Sequence, residues 1–273
     1  MTYQQYEQSI EDGQPVEFFA FSLGTNVFRY TNSAKNEMTP DGFVWQSAAI
    51  SHDGFKQTGE SATDATVITM PNELTPAMIF ATSPPSGKMA VRILRKQRAD
   101  NETRVAYIGT VSQVNLDEPG KATVTCETLS ASMQRSGLRL PWQRTCPYAL
   151  YDPVTCKVDP EPLGVTAKIL QVSGFMVRTD VSGSYPDGRF AGGFFRWDAP
   201  ARGLEYRQIE SHVGFDLRLF GVINDLYVGQ VLKIFPGCAR TVPACQSFNN
   251  LGNYGGVPNM PGRSPFDGNP VFY

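Results

Sequence analysis

Glycine or proline interrupts this chain about once in every six residues, so a long helix has little room anywhere along it. The 25 glycines and 20 prolines exceed an average combined usage of roughly 12%. Between the breaks, apolar residues recur at period two, as in strands with one buried face. Ala65/Val67, Met89/Val91/Ile93, Val105/Tyr107/Gly109/Val111 and Ala122/Val124/Cys126 follow that spacing. Val16–Leu23 and Asn26–Tyr30 flank Gly24-Thr25 as hairpin strands do. Thr39-Pro40-Asp41-Gly42 has the chemistry of a turn.

Further strands are expected at Val165–Val172, Phe175–Arg178, Gly203–Ile209, Phe215–Phe220 and Val228–Phe235. Helical spacing is confined to residues 2–11, 72–81 and 128–135. The segment from Cys238 to Tyr273 is dense in Gly, Pro and Asn and has few core-forming residues. The prediction is a mainly β fold with two β-rich, barrel- or sandwich-like domains, residues 1–137 and 138–273. A few short helices and a loop-rich C-terminal tail complete it.

A length of 273 residues with 41% hydrophobic content supports real cores and excludes global disorder. The net charge of −2 argues against a dedicated nucleic-acid binder, which needs a basic surplus to neutralise phosphates. No apolar run approaches the roughly 20 residues of a membrane span, and the polar start does not resemble an export signal. A protein matured in a reducing compartment is expected, so its five cysteines are not read as a disulfide framework.

Enzymatic constellations are weak. Each of the two histidines directly follows a serine, at Ser51-His52 and Ser211-His212. Adjacent strand residues face opposite ways, so neither pair makes a nucleophile and its base. Both histidines are read as surface or turn residues. The two pentapeptides beginning at Ser51 and Ser211 are read as similar turns. Asp152, Asp159 and Glu161 are a local acidic group, read as solvated loop charges. No phosphate-binding or dinucleotide glycine motif occurs. Arg92, Arg95, Lys96 and Arg98 are read as a charged strand edge or solvated turn. No enzyme is expected.

The cysteines stand out. Nine residues separate Cys146 from Cys156, six separate Cys238 from Cys245, and 81 lie between the pairs. Zinc knuckles use tighter spacings, whereas a larger iron–sulfur centre tolerates wider ones. Prolines stiffen the loops at Cys146-Pro147, Asp152-Pro153, Pro236-Gly237-Cys238 and Pro243-Ala244-Cys245. Spacing alone leaves metal or cluster ligation and buried core thiols both open. The fifth, Cys126, sits on an apolar strand face without a turn to present it, and is read as core.

Cys146-Pro147-Tyr148-Ala149-Leu150-Tyr151 through Cys156-Lys157-Val158 resembles a signature of bacteriophage tail-tip (baseplate) hub proteins. Pro236-Gly237-Cys238 to Cys245, Phe248-Asn249-Asn250, Asn253-Tyr254-Gly255-Gly256 and Pro261-Gly262 resemble the same family's C-terminal block. That family is related to the lambda minor tail protein L and to the hub of gene transfer agents. Ala239 stands where the family commonly has an acidic residue, and Tyr254 where it commonly has Phe.

The resemblance implies a structural virion protein at the tail tip, assembled in the host cytoplasm. It implies a homotrimer that closes the tail tube, with the distal tail protein ring, the central fibre or tail-tip proteins and the tape measure protein as neighbours. It also implies a [4Fe-4S] cluster, with zinc as the alternative, ligated by Cys146, Cys156, Cys238 and Cys245. An iron–sulfur redox protein and a tail-associated cell-wall or polysaccharide hydrolase are the competing functional readings.

Overall fold

A computed structural model describes residues 3–9, 15–56, 58, 64–98, 102–133, 140, 142–221 and 226–260. Ile10, most of the loop before Pro141, the expected boundary at residue 137 and Pro261-Gly262 lie outside the described residues. The chain divides into two compact units. One comprises residues 1–135 with 198–205, the other residues 136–197 with 206–273.

The first unit is built on a nine-stranded sheet. Its strands are β1 (Pro15–Leu23), β2 (Asn26–Thr31), β3 (Glu37–Met38), β4 (Val44–Ser47) and β5 (Ser51–His52). β6 (Thr66–Pro71), β7 (Ala90–Gln97), β8 (Thr103–Glu118) and β9 (Lys121–Thr128) complete it. The spatial order is β3-β4-β2-β1-β7-β8-β9-β6-β5. The expected β1–β2 hairpin is present, and Gly24 takes the positive φ of 58° that its tight turn requires. Alternation drives one face into a core formed by Phe19, Phe21, Ile68, Val91, Ile93 and Val124, among others. Cys126 is fully buried in this core, as its strand face predicted, and burial pushes its thiol up to about 12.

Three short helices accompany the sheet: α1 (Tyr3–Gln8), α2 (Thr75–Thr82) and α3 (Leu129–Met133). α1 and α3 lie within the stretches where helical spacing was read, and α2 overlaps its stretch but ends one residue beyond it. Ala77 and Ile79 of α2 plug the core. Arg202, itself buried, donates to the Ile79 carbonyl at 2.5 Å and to Ser83 Oγ at 3.3 Å, all within the first unit.

The second unit contains most of a closed six-stranded barrel of β10 (Val165–Ser173), β11 (Met176–Thr179), β12 (Phe194–Ala199), β13 (Gly203–Val213), β14 (Asp216–Leu219) and β15 (Val231–Phe235), the end of β12 and the start of β13 being counted with the first. Around the barrel the order is β10-β11-β14-β13-β12-β15. Ile169, Val177, Phe195, Ile209, Leu217 and Ile234 are buried in this unit. The mainly β expectation therefore holds, with one large sheet and one barrel. β12 was not anticipated, because Phe194-Phe195 blurs the alternation that Arg196-Trp197 continues. No helix among the described residues is long and apolar enough to cross a membrane.

The basic run is not a sheet edge. β7 is central, paired with β1 on one side and β8 on the other. Its alternation sends Arg95 to one face, where Nη2 meets Glu17 Oε1 at 3.0 Å. Arg92, opposite Ala20, and Lys96, opposite Val16, point to the other face.

Candidate functional site

The C-terminal segment folds back onto the first cysteine loop. α4 (Val242–Ser247) opens with Thr241 Oγ1 accepting from the Ala244 N–H, and carries Cys245 in its last turn. Cys146 N–H donates to the Arg240 carbonyl at 2.9 Å. The Tyr254 hydroxyl donates to the Arg144 carbonyl at 2.8 Å. As a result Cys146, Cys156, Cys238 and Cys245 border one small apolar cavity, with Tyr148, Leu150 and Asn250 also lining it. Residues far apart in the chain are thus brought to one place.

Three of the sulfurs are engaged by the loops themselves. Cys245 Sγ donates to the Asn250 carbonyl at 3.1 Å, and Cys238 Sγ accepts from the Arg240 N–H at 3.3 Å. Asn250 Nδ2 donates to the Cys156 carbonyl at 2.6 Å and lies 3.8 Å from Cys156 Sγ. Asn253 Nδ2 donates to Asn250 Oδ1 at 2.7 Å and orients that amide. Burial pushes the Cys245 thiol up, and the neighbouring Cys238, Cys146 and Cys156 sulfurs add to the shift.

This arrangement corrects the expected cofactor. Among the described residues no group of three or more His, Cys, Asp or Glu side chains is placed to hold a metal ion. A zinc ion would need its sulfurs to converge at about 2.3 Å from one point. The cavity measures about 20 Å³, the room of roughly one water, which is far too little for a four-iron cube. Neither the [4Fe-4S] cluster nor zinc fits these residues, and the iron–sulfur redox reading falls with the cluster.

The knot has other means of holding the tail. Tyr151 lies edge-on to Phe194, Phe235 and Phe248, with ring centroids 5.7, 6.5 and 6.5 Å away. Its hydroxyl donates to the Pro236 carbonyl at 2.6 Å. Gly237 is required by close approach, since a Cβ there would overlap the Ala191 carbonyl oxygen. The four non-glycine residues with positive φ among the described residues are Tyr151, Lys157, Arg240 and Asn249, and all lie in these loops. Such backbone costs about 1–3 kcal/mol per residue and persists only where surrounding contacts over-determine it. Asn249 could have been anticipated, as Asn tolerates the left-handed region. Tyr151, Lys157 and Arg240 carry no such signal.

The other candidates separate. Asp152 Oδ2 accepts from both the N–H and the hydroxyl of Thr155, which hold its carboxyl below the usual range. Asp159 Oδ1 accepts from the Glu161 N–H at 3.0 Å. Glu161 bridges Arg196 and Lys233, and these hydrogen bonds lower its carboxyl to about 2. Each of the three acids thus has its own structural task. Both histidines flank glycine turns, with Gly54 at φ 103° and Gly214 at φ 54°. His212 is buried rather than on the surface, its Nε2 2.9 Å from the Gly214 carbonyl. His52 Nδ1 accepts from the Gly54 N–H at 2.9 Å, and its Nε2 lies 3.0 Å from Glu17 Oε1. The pentapeptide echo is therefore two similar turns with different partners.

Residues 188–264 match a family described as "Phage conserved hypothetical protein BR0599". No curated protein matches the chain. Among solved structures, a chain of the "Virion of native gene transfer agent (GTA) particle" is similar in fold, with a TM-score of 0.78 at 18% identity. The similarity covers 96% of this chain and 93% of that one.

Proposed function

We propose that the chain is a structural virion protein of a phage-type particle and serves as the hub of the tail tip. The observation that carries this reading is the likeness in fold to a gene transfer agent virion chain, which runs through both units at a TM-score of 0.78. The phage-family match over residues 188–264, which takes in most of the barrel and the second cysteine pair, supports it. In this reading residues 1–137 and 138–273 form two hub domains. Three copies close the tube between the distal tail ring and the central fibre, with the tape measure protein as a further neighbour. Cys156, Cys238 and Cys245 act as hydrogen-bonded thiols, and Cys146 through its backbone N–H, in the knot of loops that pins the C-terminal tail.

The test is a reconstruction of purified particles from cells that encode this chain, with antibody labelling of the intact protein. Labelling at the distal end of the tail and density for three copies there are expected. Particles that lack the chain, or that carry it elsewhere, would overturn the reading.

A further inference from the structure

The nine-stranded sheet buries its two faces unequally. One face packs the main core, whereas on the other the buried apolar cluster among the described residues is Val16, Phe18, Ala20 and Trp45, with Leu94 partly buried against it. Side chains directly opposite on neighbouring strands share a face. Arg29 and Arg92, both opposite Ala20, therefore belong to this second face, as does Lys96 opposite Val16. Lys35, Lys96 and Arg98 line a basin of about 210 Å³ whose floor is Val16 and Phe18. Three cations thus border this apolar patch and two more, Arg29 and Arg92, share its face, on a chain whose net charge is −2.

Arg29 lies 4.1 Å from the centroid of the Phe43 ring. Lys35, Arg92, Lys96 and Arg98 make no ion pair among the described residues. Glu37 also lines the basin and accepts a hydrogen bond from Ser33 Oγ. Beside the cations, Val105 opposite Leu94 and Ile108 opposite Arg92 are 53% and 45% exposed. Charge and apolar area are interleaved on one surface.

We infer that this face docks a different protein, whose surface presents carboxylates around an apolar centre. The inference rests on the virion reading, which supplies close protein neighbours. Interfaces combine an apolar centre with a polar rim, and Arg is enriched in them. Clustered like charges repel one another until an opposite surface neutralises them, which makes complementarity the source of specificity. Nucleic acid fits less well. Phosphates gain nothing from Val105 and Ile108, and the Glu37 carboxylate repels them.

A water-soluble carbodiimide joins lysine amines to nearby carboxylates without a spacer, and applied to purified particles it reads this contact directly. Lys35 and Lys96 are expected in amide links to Asp or Glu of another virion protein. Setting aside links to Glu37, which lines the same basin, links only to peptides of this chain would assign the face to a second copy and overturn the proposal. Detection of the chain in particles without any link from either lysine would also overturn it, while leaving the virion reading intact. Absence of the chain from particles removes both. The Arg92→Glu/Lys96→Glu variant should enter particles about tenfold less while its circular dichroism and melting stay unchanged. Unchanged entry of the folded variant counts against the proposal, and ultraviolet cross-linking of this face to packaged DNA would replace it.

Discussion

Cys126 and Asn250 show how differently two residues of similar size can matter. Cys126 is enclosed on all sides, so Cys126→Ala removes one small buried group and should cost about 1–2 kcal/mol in chemical denaturation. With its thiol pushed up to about 12, Cys126 should also resist alkylation in the folded protein at pH 8. Labelling of Cys126 before unfolding would contradict that placement. Asn250 instead connects two loops, through a side-chain donor to Cys156 and a carbonyl acceptor for Cys245. Asn250→Ala keeps the carbonyl but leaves the Cys156 oxygen without that donor, and should cost about 1–3 kcal/mol. Limited proteolysis should then cut first between residues 238 and 260, and an unchanged digestion pattern would count against the knot. The cysteine pairs and their prolines were legible in the sequence. The amide that ties them was not, because Asn250 reaches Cys156 across 94 positions of chain.

At the scale of elements, what could be read was whatever alternation and glycine turns encode locally. The β1–β2 hairpin follows from its apolar spacing and from Gly24, whereas β12 needs Gly193 to pass close to the Phe235 carbonyl. That approach is a long-range fact. The same limit explains the basic run, whose residues look alike in sequence but split between two faces once β7 is central. Arg95 takes the closed side and pins α1, donating to Glu7 at 3.3 Å as well as to Glu17. A six-residue helix cannot be stable on its own, because nucleation is too costly for so short a segment. Arg95→Met should therefore free α1, seen as loss of hydrogen-exchange protection over residues 3–8, and should destabilise the chain by about 2 kcal/mol. Fully buried pairs cost more, at about 3–5 kcal/mol, but Arg95 keeps partial contact with water. Protection over α1 that survives the substitution would show that Arg104, stacked 4.4 Å over the Tyr3 ring, suffices alone.

For the whole molecule, two compact units with separate cores need not respond together to acid. The second unit carries the clearest acid-sensitive group, since Arg196 and Lys233 hold the Glu161 carboxyl at about 2 against an ordinary value of 4.5. A carboxylate whose folded value is depressed releases its proton more readily when folded, so the unfolded chain binds more protons in this range. The sign follows directly. The Glu161 contribution is fully present above about 4.5 and is lost as the pH falls towards about 2. Because Glu161 is exposed, salt should weaken the contribution further. The wild type should therefore melt above Glu161→Gln at pH 7, and the difference should vanish by pH 2 and shrink in high salt. The matching change in hydrogen exchange should fall on β12 and β15, the strands that hold Arg196 and Lys233, and spare the nine-stranded sheet. A melting difference that ignores both pH and salt would mean that Glu161 acts through packing, and the charge network would not be what responds to acid.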